Sequence, residues 1–68
     1  MTEWVSVSSK AIRKIGYEAS SSRMFIDFED SHPLYTFCGV PEAVFREFIN
    51  SGSVGRYYHQ CIKNRYQC

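Results

Sequence analysis

The sequence predicts a single small α+β domain, in which a three-stranded antiparallel meander is followed by two packed helices. The chain has 68 residues, a length that accommodates one domain. Hydrophobic residues make up 44% of it, which is enough apolar surface for a small core. The hydrophobic period changes from that of a strand to that of a helix near residue 40. We therefore place the domain at residues 10–68 and expect residues 1–9 to form an N-terminal arm or a short edge strand.

Three segments in the first part of the chain have strand character. Alternation of apolar and polar residues predicts strands over 14–19 and 23–29, and a run of β-forming residues predicts a third over 34–38. A serine run at 20–22 and a turn cluster at 30–33 separate them. Such short connections favour antiparallel neighbours.

The first helix is predicted from Pro41, at the first helical position, to Asn50. Its apolar residues, including Phe48, fall within one arc of about 140° at 100° per residue. Glu42 and Arg46 lie four residues apart on the other side, where they can form an ion pair. This amphipathic pattern predicts a helix that packs against the sheet.

The second helix is predicted from about Val54 to Tyr66, with Ser53 as its N-terminal cap. Arg56 and Lys63, seven residues apart, are expected nearly superposed on its polar face. The predicted core of the whole domain comprises Ile15, Tyr17, Met24, Ile26, Phe28, Tyr35 or Leu34, Val44, Phe45, Phe48, Val54, Tyr58, Cys61 and Ile62.

The chain contains three cysteines, and their odd number and the lack of an export signal argue against a disulfide framework. No two of them have the close spacing of zinc ligands, so we expect no metal site. Cys38 and Cys61 are expected to act as small buried hydrophobes. Cys68 is expected to be mobile and free to cross-link chains.

Several functional classes lack their sequence signatures. No apolar run approaches the ~20 residues of a membrane span, and no secretion signal is visible. The chain has neither a nucleophile elbow nor a phosphate-binding loop. We therefore expect a cytoplasmic, non-catalytic protein without a cofactor, a small-molecule substrate or a membrane partner.

The eight basic and seven acidic residues nearly balance, but residues 51–68 carry three cations and no acid. Tyrosines are interleaved with these cations, and basic plus aromatic residues favour nucleic-acid binding, because cations meet phosphates and rings stack on bases. Three cations are also common on an ordinary solvated helix. The predicted RNA-binding residues are Arg56, Lys63, Arg65, Tyr57 and Tyr66, with Lys10, Arg13 and Lys14 as additional cations.

A protein-interaction module is the alternative hypothesis. A meander covered by helices on one side leaves its other face open, and Phe25 is expected on that open face. An exposed Trp4 in the N-terminal arm offers a second apolar contact. Either feature could bind a partner protein or a second copy of the chain.

The chain resembles the KTSC domain family, named for the C-terminal part of some lysyl-tRNA synthetases, from about Val7 to Tyr66. The resemblance rests on Ser8, Ser9, Ile12, Ile15-Gly16-Tyr17-Glu18, Met24, Ile26, Phe28, Tyr35-Thr36-Phe37, Val40-Pro41, Val44, Phe48, Ser53, Gly55, Tyr58, Ile62, Lys63 and Tyr66.

Two features depart from the family pattern. The family's central Tyr-x-Tyr is Tyr35-Thr36-Phe37 here, so one hydroxyl is lost, and its turn glycine is replaced within residues 31–33. Such domains occur alone in bacterial and phage proteins and attached to a tRNA-handling enzyme. The resemblance therefore implies a small domain of unestablished function, with RNA binding suggested by that attachment alone.

Overall fold

Four antiparallel strands form one sheet in sequence order, and the helices pack against one of its faces. The structure is a computed structural model that describes residues 2–29 and 34–68. The strands are β1 (Thr2–Ser6), β2 (Ile12–Glu18), β3 (Arg23–Phe28) and β4 (Tyr35–Phe37). The turn predicted over residues 30–33 lies outside the described residues.

The α+β class is confirmed, but the sheet has four strands and not the three of the predicted meander. The additional strand is β1, which pairs along its whole length with β2, so that Trp4 lies opposite Gly16. Apolar and polar residues alternate only weakly within residues 2–6. Hydrogen bonding to β2 makes this segment a strand. Of the two alternatives for the N-terminal residues, an arm or a short edge strand, the structure shows the edge strand.

A β-bulge explains why β2 begins earlier than predicted. The register between β2 and β3 shifts between Ile12 and Lys14. Ile12 and Ile15 are therefore both fully buried, although they lie three positions apart in the sequence. In a regular strand such residues point to opposite faces, and the extra residue of a bulge restores them to one face.

The helices are α1 (Glu42–Asn50) and α2 (Val54–Tyr57), and α2 continues directly into a π-helix (Tyr58–Ile62). The Ser53 cap is confirmed, because its hydroxyl accepts a hydrogen bond from the Arg56 amide at 3.3 Å. Pro41 is the residue that precedes α1 and not its first helical residue.

The second helix ends at Ile62, four residues earlier than predicted. Its last turn is the π-helix, closed by a hydrogen bond from the Lys63 amide to the Tyr58 carbonyl at 2.7 Å. Asn64 then adopts a left-handed backbone conformation with φ of 65°, which no helix continues through. The basic C-terminal residues therefore lie in turns.

The core lies between the sheet and the helices. The Tyr17 ring stacks on Phe45 with 4.9 Å between ring centroids, and its hydroxyl donates to the Val40 carbonyl at 2.6 Å. The buried apolar residues are Ile12, Ile15, Tyr17, Met24, Ile26, Phe37, Val40, Phe45, Phe48, Val54 and Ile62.

The predicted core is wrong at the edge of the sheet. Leu34 and Tyr35 remain 40% and 48% exposed, so the helices leave the beginning of β4 uncovered. Phe37, two residues further along the same strand, is buried instead. Other predicted core residues are only half-buried: Phe28, Val44, Tyr58 and Cys61.

Cys38 and Cys68 form a disulfide, so the predictions that Cys68 is free, that Cys38 is a small buried hydrophobe and that the chain lacks a disulfide are wrong. Thirty residues separate the two cysteines in sequence. They meet because the chain turns back after the π-helix and brings its last residues alongside β4. Cys61 is half-buried and keeps a free thiol.

No helix in residues 2–29 and 34–68 has both the length and the apolar character needed to cross a membrane.

Candidate functional site

An aromatic cleft opens between β4 and the π-helix. It has a volume of about 500 Å3 and adjoins a second depression of about 400 Å3. Tyr35, Tyr58 and Lys63 line both depressions, so we treat them as one site and call it the aromatic cleft. The other lining residues are Thr36, Phe37, Asn64, Gln67 and Cys68 on one side and Ala11, Phe28 and His59 on the other.

Edge-to-face ring contacts build the floor of the aromatic cleft. The Phe28 ring packs edge-on against Tyr35 and Tyr58, at centroid distances of 4.9 and 5.2 Å. Phe37 contacts Tyr58 in the same manner at 6.1 Å. Each edge-to-face contact covers a face of one ring of the pair, but about half of the Tyr35 surface remains open to solvent. The cleft therefore presents an aromatic surface to a ligand.

The π-helix places Tyr58 and Lys63 at the cleft. Its hydrogen bond joins the Lys63 amide to the carbonyl of Tyr58, five positions earlier. Turns of this kind are rare in proteins, and those that occur are often at functional sites. Tyr58 contacts the rings of Phe28 and Phe37 on the sheet. Lys63 is exposed and begins the turn that lines the cleft after the π-helix.

The charges on the described lining of the cleft favour an anionic ligand over a cationic one. Among the described residues that line it, Lys63 is charged and none is an aspartate or glutamate. Burial raises the pKa of the Tyr58 hydroxyl, and the nearby Tyr35 hydroxyl raises it further. The Tyr58 hydroxyl therefore keeps its proton near pH 7 and can donate a hydrogen bond.

The chain after the π-helix forms one wall of the cleft. Asn64, Gln67 and Cys68 contribute to it, and the Gln67 amide donates to the Asn64 side-chain carbonyl at 3.3 Å. Side-chain amides offer both donors and acceptors. We call residues 63–68 the C-terminal wall.

The structure separates two cations that were expected to be superposed. Lys63 lines the aromatic cleft, whereas Arg56 lines a different depression next to the α1–α2 connection. The prediction assumed a regular α-helix between them. The wider π-helical turn changes the angle per residue, and the two charges line separate depressions.

Two of the predicted aromatic residues are engaged in the fold. Tyr57 stacks on Phe48 at 5.4 Å, and its hydroxyl donates to the Glu47 carboxylate at 3.0 Å. Tyr66 is half-buried against the core, and its carbonyl accepts from the Cys38 amide at 2.8 Å. Their rings are therefore less accessible than that of Tyr35.

The remaining predicted cations are distributed around the molecule. Arg65 and Lys10 are exposed, and Lys10 precedes Ala11 at the rim of the cleft. Arg13 pairs with Glu29 at 3.2 Å. Lys14 lies on the sheet face opposite the helices.

That opposite face carries an aromatic pair. Trp4 and Phe25 lie 6.1 Å apart between ring centroids, on either side of Gly16. The Lys14 ammonium lies over the Trp4 ring at 4.9 Å from its centroid. The two apolar features of the protein-interaction hypothesis are therefore adjacent on one surface.

Sequence reasoning missed most of the aromatic cleft. The sequence prediction places Tyr58, and either Tyr35 or Leu34, in the core. Tyr35 lies on the same side of β4 as the buried Phe37, but the sequence does not show that the helices leave its ring exposed. The Tyr35-Thr36-Phe37 motif of the family resemblance was the available signal. Within the described residues, no group of three or more His, Cys, Asp or Glu could hold a metal ion.

Comparison with known proteins identifies one family. The family model described as the KTSC domain matches residues 8–66. The crystal structure of a KTSC domain protein from Yersinia pestis superposes with a TM-score of 0.92 and 31% sequence identity, over 100% of this chain and 94% of that one. A search of curated proteins gave no significant match.

Proposed function

Since the chain belongs to the KTSC domain family, we propose that this member is a non-catalytic module that binds single-stranded RNA weakly at the aromatic cleft. Membership accounts for the fold. A function needs an argument from the site itself, and the residues of the cleft supply it.

The exposed Tyr35 ring beside Lys63, in a cleft lined by no described acidic residue, is the observation that supports this proposal. An exposed ring provides a stacking platform for a base, and a neighbouring ammonium group meets the adjoining phosphate. Asn64 and Gln67 offer amides to the edges of a base. We assign stacking to Tyr35, because Tyr57 and Tyr66 are half-buried.

The affinity should be low and strongly dependent on salt. Lys63 is the charged residue of the cleft, and the nearby exposed cations Lys10 and Arg65 add a few phosphate contacts at most. The whole chain carries a net charge of +1, so long-range attraction to RNA is weak. Each phosphate contact makes the logarithm of the binding constant fall with the logarithm of salt concentration. The proposed place of action is the cytoplasm, where the RNA is.

Fluorescence anisotropy with a labelled single-stranded RNA, at two salt concentrations, tests the proposal. Tyr35→Ala should weaken binding by about tenfold, because stacking is worth ~1–3 kcal/mol per base. Lys63→Gln should weaken binding and reduce the magnitude of the salt slope by about 1.

Lys14→Gln is the matched control, since it removes the same charge from the opposite face of the sheet. It should leave the affinity within about twofold of the wild type. If wild-type protein binds neither single-stranded nor structured RNA at low salt, the proposal is wrong. Equal losses in Lys14→Gln and Lys63→Gln would mean that the cleft is not the site.

The Trp4–Phe25 pair favours a second candidate function, contact with another protein or a second copy. An exposed aromatic pair on an open sheet face is typical of an interaction surface, and β1 is an edge strand of the sheet. Light scattering over a concentration series tests self-association. A mass that rises with concentration in the wild type, and not in Trp4→Ser, would support this alternative.

A further inference from the structure

We propose that the Cys38–Cys68 disulfide fastens the C-terminal wall and that its reduction releases this wall from the aromatic cleft. The proposal makes the cleft redox-sensitive. Its consequence for RNA rests on the proposed function, but the release of the wall does not.

The C-terminal wall has little structure of its own. Regular structure ends at Ile62, and the backbone then turns through Asn64 in the left-handed conformation. Four of its residues besides Lys63 are exposed: Asn64, Arg65, Gln67 and Cys68. Segments with few buried contacts open at low free-energy cost, so the wall depends on its attachments.

Two attachments join the wall to the loop after β4, and both involve Cys38. One is the disulfide to Cys68. The other is the hydrogen bond from the Cys38 amide to the Tyr66 carbonyl, at 2.8 Å. The half-buried Tyr66 ring adds a packing contact. The disulfide is the covalent attachment, and it holds the exposed last residue, Cys68.

The lining of the cleft connects this bond to the site. Gln67 and Cys68 belong to the wall and line the same cleft as Tyr35. When the bond is closed, these residues hold the cleft at its present width. When it is open, nothing covalent keeps them near the Tyr35 ring.

A dithiol reductant supplies the chemistry. Its first thiolate attacks one sulfur of the disulfide, which forms a mixed disulfide and expels the other cysteine as a thiolate. The second thiol of the reductant, as its thiolate, then displaces the remaining cysteine. Two electrons and two protons pass from the dithiol to Cys38 and Cys68, and the dithiol leaves as its own disulfide. Cytosolic thiol systems keep most cysteines reduced, and disulfides found there are usually transient or redox-sensing.

NMR relaxation of the backbone amides tests the release directly. The experiment uses the full chain with Cys61→Ser, so that the third thiol takes no part in exchange. Upon reduction, order parameters of residues 64–68 should fall from about 0.85 to below about 0.6, whereas those of β2 should stay near 0.85. Cys68→Ser in the same background should show the released state with or without the dithiol.

Two results would overturn the proposal. The first is a C-terminal wall that stays rigid after complete reduction. The second is loss of order in β2 together with the wall, because the bond would then hold the whole fold. A rigid C-terminal wall in Cys68→Ser, or loss of order in β2 of that variant, would likewise overturn the proposal.

An RNA titration of the oxidised and reduced forms separates this proposal from the proposed function. If the wall contributes hydrogen bonds to RNA, reduction should weaken binding by about two- to tenfold. Release of the wall without RNA binding in either form would contradict the proposed function and leave the redox inference supported. Unchanged RNA affinity after release would show that the wall does not control the site.

Discussion

Trp4 lies across Gly16, its partner on the neighbouring strand, and this contact explains why position 16 lacks a side chain. A β-carbon at Gly16 would come within 2.8 Å of two carbons of the Trp4 ring. Contacts this short require the ring to move. Glycine here therefore permits the close approach of an aromatic ring to the sheet.

Gly16→Ala should displace the Trp4 ring and shift its fluorescence emission to longer wavelength, because the ring becomes more solvated. Trp4 is the chain's only tryptophan, so the emission reports this site alone. The stability loss should be about 1–3 kcal/mol, measured by chemical denaturation.

Gly52→Ala provides the matched control, because a β-carbon at Gly52 meets no atom within 4 Å. Its emission should coincide with that of the wild type. Coinciding spectra of Gly16→Ala and wild type would contradict the described contact.

At the scale of elements, α1 combines a strong apolar face with a well-connected polar face. Phe45 and Phe48 are fully buried, as the sequence period predicts. The predicted pair of Glu42 and Arg46 is confirmed at 3.2 Å. Arg46 also binds Glu3 of β1 through two hydrogen bonds of 3.0 Å, which ties the helix to the edge strand.

Phe48→Ala should destabilise the domain by about 3–5 kcal/mol, since it removes a fully buried ring and leaves a cavity. Chemical denaturation measures the change. A domain of this size has a small free energy of unfolding. The variant should therefore be largely unfolded at temperatures at which the wild type is folded.

Leu34→Ala is the control for this prediction, because Leu34 is 40% exposed. Its effect should stay within about 0.5 kcal/mol. A loss below about 1 kcal/mol in Phe48→Ala would contradict the central position of this residue.

The π-helix shows where element prediction from sequence fails. Residues 54–57 follow the expected α-helical geometry, with Ser53 as cap. The next residues form a wider turn, and apolar spacing does not distinguish the two geometries over so few residues. The exact positions of Lys63 and Arg56 depend on this turn, so their separation could not be predicted from the spacing.

At the scale of the whole molecule, Tyr57 connects the two helical elements. Burial of its ring, together with the hydrogen bond to the Glu47 carboxylate and the negative charge of that carboxylate, raises the pKa of the hydroxyl to about 12. The ordinary value is 10.0. The folded protein therefore holds the Tyr57 proton more tightly than the unfolded chain does.

The free energy of unfolding should consequently fall between about pH 10 and pH 12. Below pH 10 both states are protonated at Tyr57, and the stabilisation is fully present. Above pH 10 the unfolded chain loses its proton first, so stability decreases until the folded state also ionises near pH 12. Urea denaturation at a series of pH values measures this decrease.

Tyr57→Phe should show a shallower decrease over the same pH range, because it lacks the ionising group. The remaining slope includes Tyr58, whose pKa burial also raises. If the free energy of unfolding of Tyr57→Phe falls with pH as steeply as that of the wild type, the raised pKa of the Tyr57 hydroxyl is contradicted.

The amino-acid sequence by itself determined the α+β class, β3, α1, the Ser53 cap and the side of the sheet to which most strand residues point. Those features depend on period, turn residues and caps, which are local properties of the chain. Tertiary structure alone decided the pairing of β1, the bulge that buries Ile12, the Cys38–Cys68 bond and the exposure of Tyr35. Each of these depends on which distant segments meet and how far one element extends over another, and local patterns carry no information about such distances.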